Sequence, residues 1–111
     1  ASGDRRRSSQ RITGDDRFVI VIDLPADLAY LAARRLVGDG IAAGGEDEAD
    51  ALREIVNLVG GHTCTRLESS GLRLRPEPPR SDAADAQAPR SVVHARCTTG
   101  EAAFDVHVVL E

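Results

Sequence analysis

The chain has no lysine, no methionine and no tryptophan, and aromatic residues fill only 3% of its 111 positions. With so few rings, a core must be assembled from Val, Leu, Ile and Ala. All fourteen basic residues are arginine, set against eighteen acidic ones for a formal net charge of −4. That balance argues against a nucleic-acid surface, which needs an excess of clustered positive charge. The one basic cluster, Arg5-Arg6-Arg7 with Arg11 following, reads as an exposed tail or strand edge rather than a phosphate site. No run of about 18–20 apolar residues exists to span a membrane, and no signal-peptide pattern is present. Cys64 and Cys97 lack metal-ligand spacing and read as ordinary thiols of a cytoplasmic protein. The missing methionine, at position 1 as elsewhere, is what a fragment or a processed form would show.

What is present suits one domain: 41% of residues are apolar, enough for a core at this length. Residues 1–11 are polar and Arg/Ser-rich, a lead-in or a weak edge strand. Phe18-Val-Ile-Val-Ile22 is a continuous β-branched run and predicts a covered strand. Asp23-Leu-Pro25 opens a first helix, with Leu28, Leu31, Ala32 and Leu36 as its apolar stripe and Gly38 as its stop. A Gly-rich linker then leads to the acidic cluster Glu46, Asp47, Glu48 and Asp50, where negative charge complements the start of a second helix running to about Glu68. Gly71 to Arg75 suggests a short strand, and residues from about 76 to 90 a mobile exposed loop. Val92–Cys97 and Ala102–Leu110 flank Thr98-Thr-Gly-Glu101 as a hairpin. If Cys97 opposes Ala102, then Val93, Ala95, Cys97, Phe104, Val106, Val108 and Leu110 share the core face. No internal repeat is evident. The sum is an α+β domain over residues 12–111, a mainly antiparallel sheet packed by two long helices.

The second helix carries the pattern richest in chemistry. At roughly 100° per residue, Asp50, Glu54, Asn57, Gly61 and Glu68 fall in one narrow arc, opposite Leu52, Ile55, Val56, Val59 and Leu67. One face buries itself; the other offers a carboxylate and a carboxamide one turn apart, beside a residue without a side chain. Any solvated helix face exposes such residues. Asn, however, is a poor helix former with no backbone role mid-helix. Gly60-Gly61 also costs about 1 kcal/mol per residue against Ala, so a close approach should offset it.

Asp50-x3-Glu54-x2-Asn57, followed by Leu58-Val-Gly-Gly61, the polar run Thr63-Cys-Thr-Arg66 and Leu67, resembles the signature helix of the CheX/CheC/FliY family. These are phosphatases of the chemotaxis response regulator CheY. Pro79 (or Pro78) stands about where family members place a proline, and the order of elements agrees over residues 12–111. Three features depart from the pattern. The family's first helix is missing, His62 replaces a usual Asn or other polar residue, and a single motif is present, as in the CheX type, whose members form dimers.

The resemblance implies a CheC-like fold and a hydrolase acting on the aspartyl phosphate of a CheY-like receiver domain. It implies that Asn57 positions the attacking water, as the water-positioning Gln does in GTPases. Glu54 would pair with the receiver's lysine, Gly61 would let the helix lie close to the partner, and Asp50 would help orient the complex. The domain would need no cofactor of its own, the Mg²⁺ being supplied by the receiver. A homodimer is expected, with no nucleic acid or membrane partner. The same fold used as a non-catalytic receiver-binding or dimerisation module is the competing expectation, and a structural domain of a larger protein a third. Two side observations carry less. In the assumed register His94 opposes Asp105 with His107 diagonal, a conceivable His-Asp-His metal site that lacks a fourth ligand and a second shell. Cys64 lies late in the helix, where nothing activates a thiol.

Overall fold

The structure is a computed structural model that describes residues 4–82, 90–100 and 102–111. Over these residues the chain runs β1 (Arg5–Gly14), β2 (Phe18–Pro25), α1 (Ala26–Val37), α2 (Glu46–Glu68), β3 (Leu74–Pro76), β4 (Arg80–Asp82), β5 (Val93–Thr99) and β6 (Ala102–Leu110). All pairings among the described strands are antiparallel, in the order β3-β1-β2-β6-β5, with β4 also on the outer side of β1. Both helices lie on one face of this sheet. The α+β expectation is met, and no helix among the described residues is long and apolar enough to cross a membrane.

β1 replaces the expected lead-in or weak edge strand: the strand is there, but not at an edge. It pairs with β2 over Arg5–Ile12 and carries β3 and β4 on its other side, so it is an interior strand. Side chains alternate across a strand, and the even positions Ser8, Gln10 and Ile12 point under the helices, all at 0–1% exposure. Polar residues tolerate such burial when their groups find partners; Ser8 Oγ donates to the Arg80 carbonyl at 2.7 Å and so fastens β4. The arginine run is not a free tail either. Arg6 turns to the helix side and meets buried Glu48 (Nε to Oε1, 3.0 Å), while Arg5 and Arg7 turn to the opposite face and share Asp23 at 2.7 and 3.1 Å. Asp23, expected to open a helix, is thereby held inside β2, which runs on to Pro25; α1 begins at Ala26, whose N–H donates to the Asp4 carbonyl.

The core joins Ile12, Phe18, Ile20, Ile22 and Leu24 of the sheet to Ala29 of α1 and Leu52, Val56 and Cys64 of α2. Burying a side chain the size of Val56 contributes about 2 kcal/mol. α2 spans the residues expected of it, and Ile55, Val59 and Leu67 pack against the core at its margin. The stripe of α1 differs from expectation: Ala29 and Ala33 are fully buried, while Leu31 and Leu36 face outward. Alanines let α1 approach its neighbours closely, and that leaves the longer side chains at the rim.

The segment expected as loop from about 76 to 90 begins with the end of β3 and includes β4, because β1 is long enough to pair with both. Residues 83–89 of that loop lie outside the described residues. The hairpin register is offset by two from the expected one: Cys97 opposes Phe104 and Thr99 opposes Ala102, with Gly100 at φ +58 in the turn. A tighter turn built on a left-handed glycine wins over the four-residue one. An offset of two preserves the faces, and Phe104, Val106 and Val108 pack against the core as expected. Helices cover β1 and β2 most fully; towards the edge, Val93 and Leu110 stay exposed.

The two glycines of α2 separate cleanly. A Cβ on Gly60 would stand 1.8 Å from Gln10 Oε1, whereas a Cβ on Gly61 meets nothing within 4 Å. Gly60→Ala is therefore expected to destabilise the fold by about 1–3 kcal/mol, through forced displacement of a buried side chain. Gly61→Ala should stabilise it by up to about 1 kcal/mol, from helix propensity. Urea unfolding of both variants checks this, and equal effects would contradict it.

Candidate functional site

Packing of the apolar side of α2 onto the sheet turns the opposite arc to solvent. Asp50, Glu54 and Asn57 are all exposed on it, and Gly61 follows as a half-buried, unobstructed position. The four residues singled out by spacing thus share one surface, but their states differ. Asp50 is ion-paired to Arg53, which also holds Glu46 at 2.6 Å. That arginine gathers the acidic start of the helix into one local cluster. Glu54 carries an exposed carboxylate that no hydrogen bond or ion pair engages among the described residues. Asn57 is exposed yet not loose: its Oδ1 accepts a hydrogen bond from Gln10 Nε2 at 2.6 Å.

Gln10 reaches Asn57 from beneath the helix. Its Nε2 donates a second bond to the Glu77 carbonyl at 2.8 Å, and its Oε1, which has no hydrogen-bond partner among the described residues, lies against Gly60. The close approach anticipated at the glycine pair therefore occurs at Gly60 and faces inward; Gly61 is the open position. Sequence reasoning missed Gln10. The mid-helix glycine signalled that something packs there, but its identity depends on β1 lying beneath α2.

A family model described as the CheC-like family matches residues 48–81, from the buried Glu48 through the motif helix to β4. The fold is similar to that of a chemotaxis protein CheX from Desulfovibrio desulfuricans (TM-score 0.83, 24% identity, covering 100% of this chain and 77% of that one). CheX from Vibrio vulnificus is similar at TM-score 0.83 and 20% identity, covering 100% of this chain and 78% of that one. A CheX–CheY–BeF3–Mg²⁺ complex from Borrelia burgdorferi aligns at TM-score 0.78 and 16% identity, over 96% of this chain and 75% of that one. The fold is CheC-like, and the motif helix lies within the stretch that the family model matches. No curated protein matches it in sequence, and at these identities the solved structures carry the fold alone.

Within this CheC-like fold the other candidates recede. Cys64 is buried in the core, and burial, with the nearby Glu68 charge, pushes its thiol pKa up, away from nucleophilic use. The hairpin histidines sit on the sheet face away from the helices. His94 directly opposes His107 instead of Asp105, and the two rings stack at 4.3 Å and 13° rather than converge on a point. Asp105 accepts from His94 Nε2 at 2.8 Å and from Arg5 Nη2 at 3.0 Å. Among the described residues no group of three His, Cys, Asp or Glu side chains is arranged to hold a metal ion.

Burial tends to raise the Asp105 carboxyl, but the His94 hydrogen bond and the charges of Arg96, His94 and Arg5 outweigh it and hold it below its ordinary range. Burial, followed by the neighbouring His94, lowers the His107 pKa below its ordinary 6.5. A group that binds its proton less readily when folded contributes stability above its unfolded pKa and loses it as pH falls. For His107 that loss begins near pH 6.5 and for Asp105 only below 3.8, so His107 acts first on acidification. The urea midpoint should thus fall between pH 7.5 and 5.5, and fall less in His107→Asn. An unchanged slope in that variant would contradict the assignment.

Proposed function

We propose that this domain is a phosphatase for the aspartyl phosphate of a CheY-like receiver, docked on the outward face of α2. The observation that carries the reading is an exposed Asn57 whose carboxamide is held from below, one helical turn from an exposed and unengaged Glu54. An acyl phosphate is already activated, and the receiver brings Mg²⁺ and a lysine to it. What is lacking is a water placed in line with the scissile P–O bond. A carboxamide does not take a proton near neutral pH, so Asn57 acts by holding that water, not as a base. Glu54 pairs with the receiver's lysine across the interface and orients the two surfaces. The bare Gly61 surface lets the helix backbone approach the partner. Asp50, occupied by Arg53, contributes to the shape and charge of the helix start and does not touch the phosphate.

Positioning of this kind accounts for about 3–5 kcal/mol of barrier, a rate factor of roughly 10²–10³ or more. The CheX–CheY complex among the similar folds supports a receiver as the partner. A homodimer belongs to the same reading: β5 ends the sheet, and Val93 and Leu110 stay exposed beside it.

Asn57→Ala should lower accelerated decay of a phosphorylated receiver roughly 100-fold while leaving receiver binding nearly intact. Glu54→Ala should weaken docking about tenfold, and more so at low salt. Decay of labelled acyl phosphate together with titration calorimetry reads both. Full activity in Asn57→Ala would remove the catalytic assignment, and tight binding without accelerated decay by the unmodified domain would favour the adaptor.

A further inference from the structure

We infer that Gln10 is the positioning residue for Asn57 and decides which end of its carboxamide faces outward. The inference rests on the phosphatase reading and deepens it. A backbone carbonyl only accepts hydrogen bonds, so the atom of Gln10 that lies 2.8 Å from the Glu77 carbonyl oxygen must be the amide nitrogen. That same nitrogen stands 2.6 Å from the Asn57 side chain, and what it meets there must be an acceptor, Oδ1. Turning Gln10 over would set two carbonyl oxygens against each other at Glu77. Turning Asn57 over would set two NH₂ groups face to face. A fixed backbone group thus dictates the orientation of both amides in series.

Gln10 has little room to relax from this arrangement. It is 1% exposed, and its oxygen rests where a Cβ on residue 60 would stand, so the glycine at that position is what admits it. Asn57 Oδ1 keeps its second lone pair for a hydrogen of the attacking water. Nδ2, at the other end of the same amide, is left as the outward donor, and donation into Oδ1 strengthens it through polarisation of the amide. A surface asparagine without such a tether would sample several rotamers and both amide orientations and would lose that freedom on docking. Gln10 removes that loss in advance. It does so from a position two layers below the partner, so it is a positioning residue and does not touch the phosphate.

Gln10→Met keeps the length of the side chain and removes the donor. The expected result is a kcat for receiver dephosphorylation about tenfold lower, with KM within about twofold and unchanged binding of the receiver activated by beryllofluoride and Mg²⁺. A second measurement needs no variant: the side-chain ¹⁵N order parameter of Asn57 in the wild-type domain should approach that of rigid backbone, about 0.85. An unchanged kcat in Gln10→Met, a loss shared between kcat and KM, or a wild-type value below about 0.6 overturns the inference. The two claims fail separately. An inactive wild-type domain whose Asn57 is rigid and loosens in Gln10→Met removes the phosphatase and keeps the tether. An active domain with a mobile Asn57 does the reverse.

Discussion

One buried amide ties the layers of this domain together. Gln10 stands on a strand, beneath a helix, and spends both hydrogens of its NH₂ group: one on the Glu77 carbonyl just beyond β3, the other on Asn57 of α2. Each contact fixes something different. The first orients the amide; the second carries that orientation to the surface of the molecule. The whole depends on a glycine at position 60, since any side chain there would displace the glutamine. Much of the site's geometry is therefore set under the helix, where the sheet meets it.

The same logic extends along β1. An interior strand with Ser8 and Gln10 under the helices is an unusual place for polar residues, and it survives because their donors are used. Ser8 fastens β4. Arg6 and the Gly44 N–H together satisfy both oxygens of Glu48, a carboxylate at 2% exposure that begins the stretch matched by the family model. Glu48 is the buried member of this pair and Arg6 is partly exposed, so loss of Arg6 is the more disruptive change, because it strands the carboxylate. On the opposite face, Asp23 is shared by Arg5 and Arg7, and Arg5 continues to Asp105. β1 thus works as a polar spine, locating α2 at its start through Glu48 and at its middle through Asn57.

The apolar pattern made the helices and the hairpin legible. α2 occupies its expected span, because its 3.6-residue periodicity and acidic start leave little room for another arrangement. The outward arc of Asp50, Glu54, Asn57 and Gly61 followed from the same periodicity. What stayed hidden depends on partners distant in sequence. The three arginines that open β1 look like a charged tail until strand alternation delivers them to Glu48 and Asp23. The hairpin register turned on Gly100 entering the left-handed region, which spacing alone did not reveal. Gln10 could not be recognised from its own surroundings, since its meaning comes from residues 47 and 67 positions away. Only the mid-helix glycine hinted that something must lie beneath.

A CheC-like fold, a motif helix presented outward and a carboxamide held from below are the features on which the proposed chemistry rests: water set in line with an acyl phosphate. On that proposal no strong nucleophile is needed, because an acyl phosphate is already activated and positioning supplies the rest. The most direct measurement is the decay of a phosphorylated receiver mixed with the unmodified domain at a substoichiometric ratio. The account predicts that one domain clears many receivers and that the decay rate rises in proportion to the amount of domain added. Decay at the receiver's own intrinsic rate, whatever the ratio and across several receivers, would contradict it.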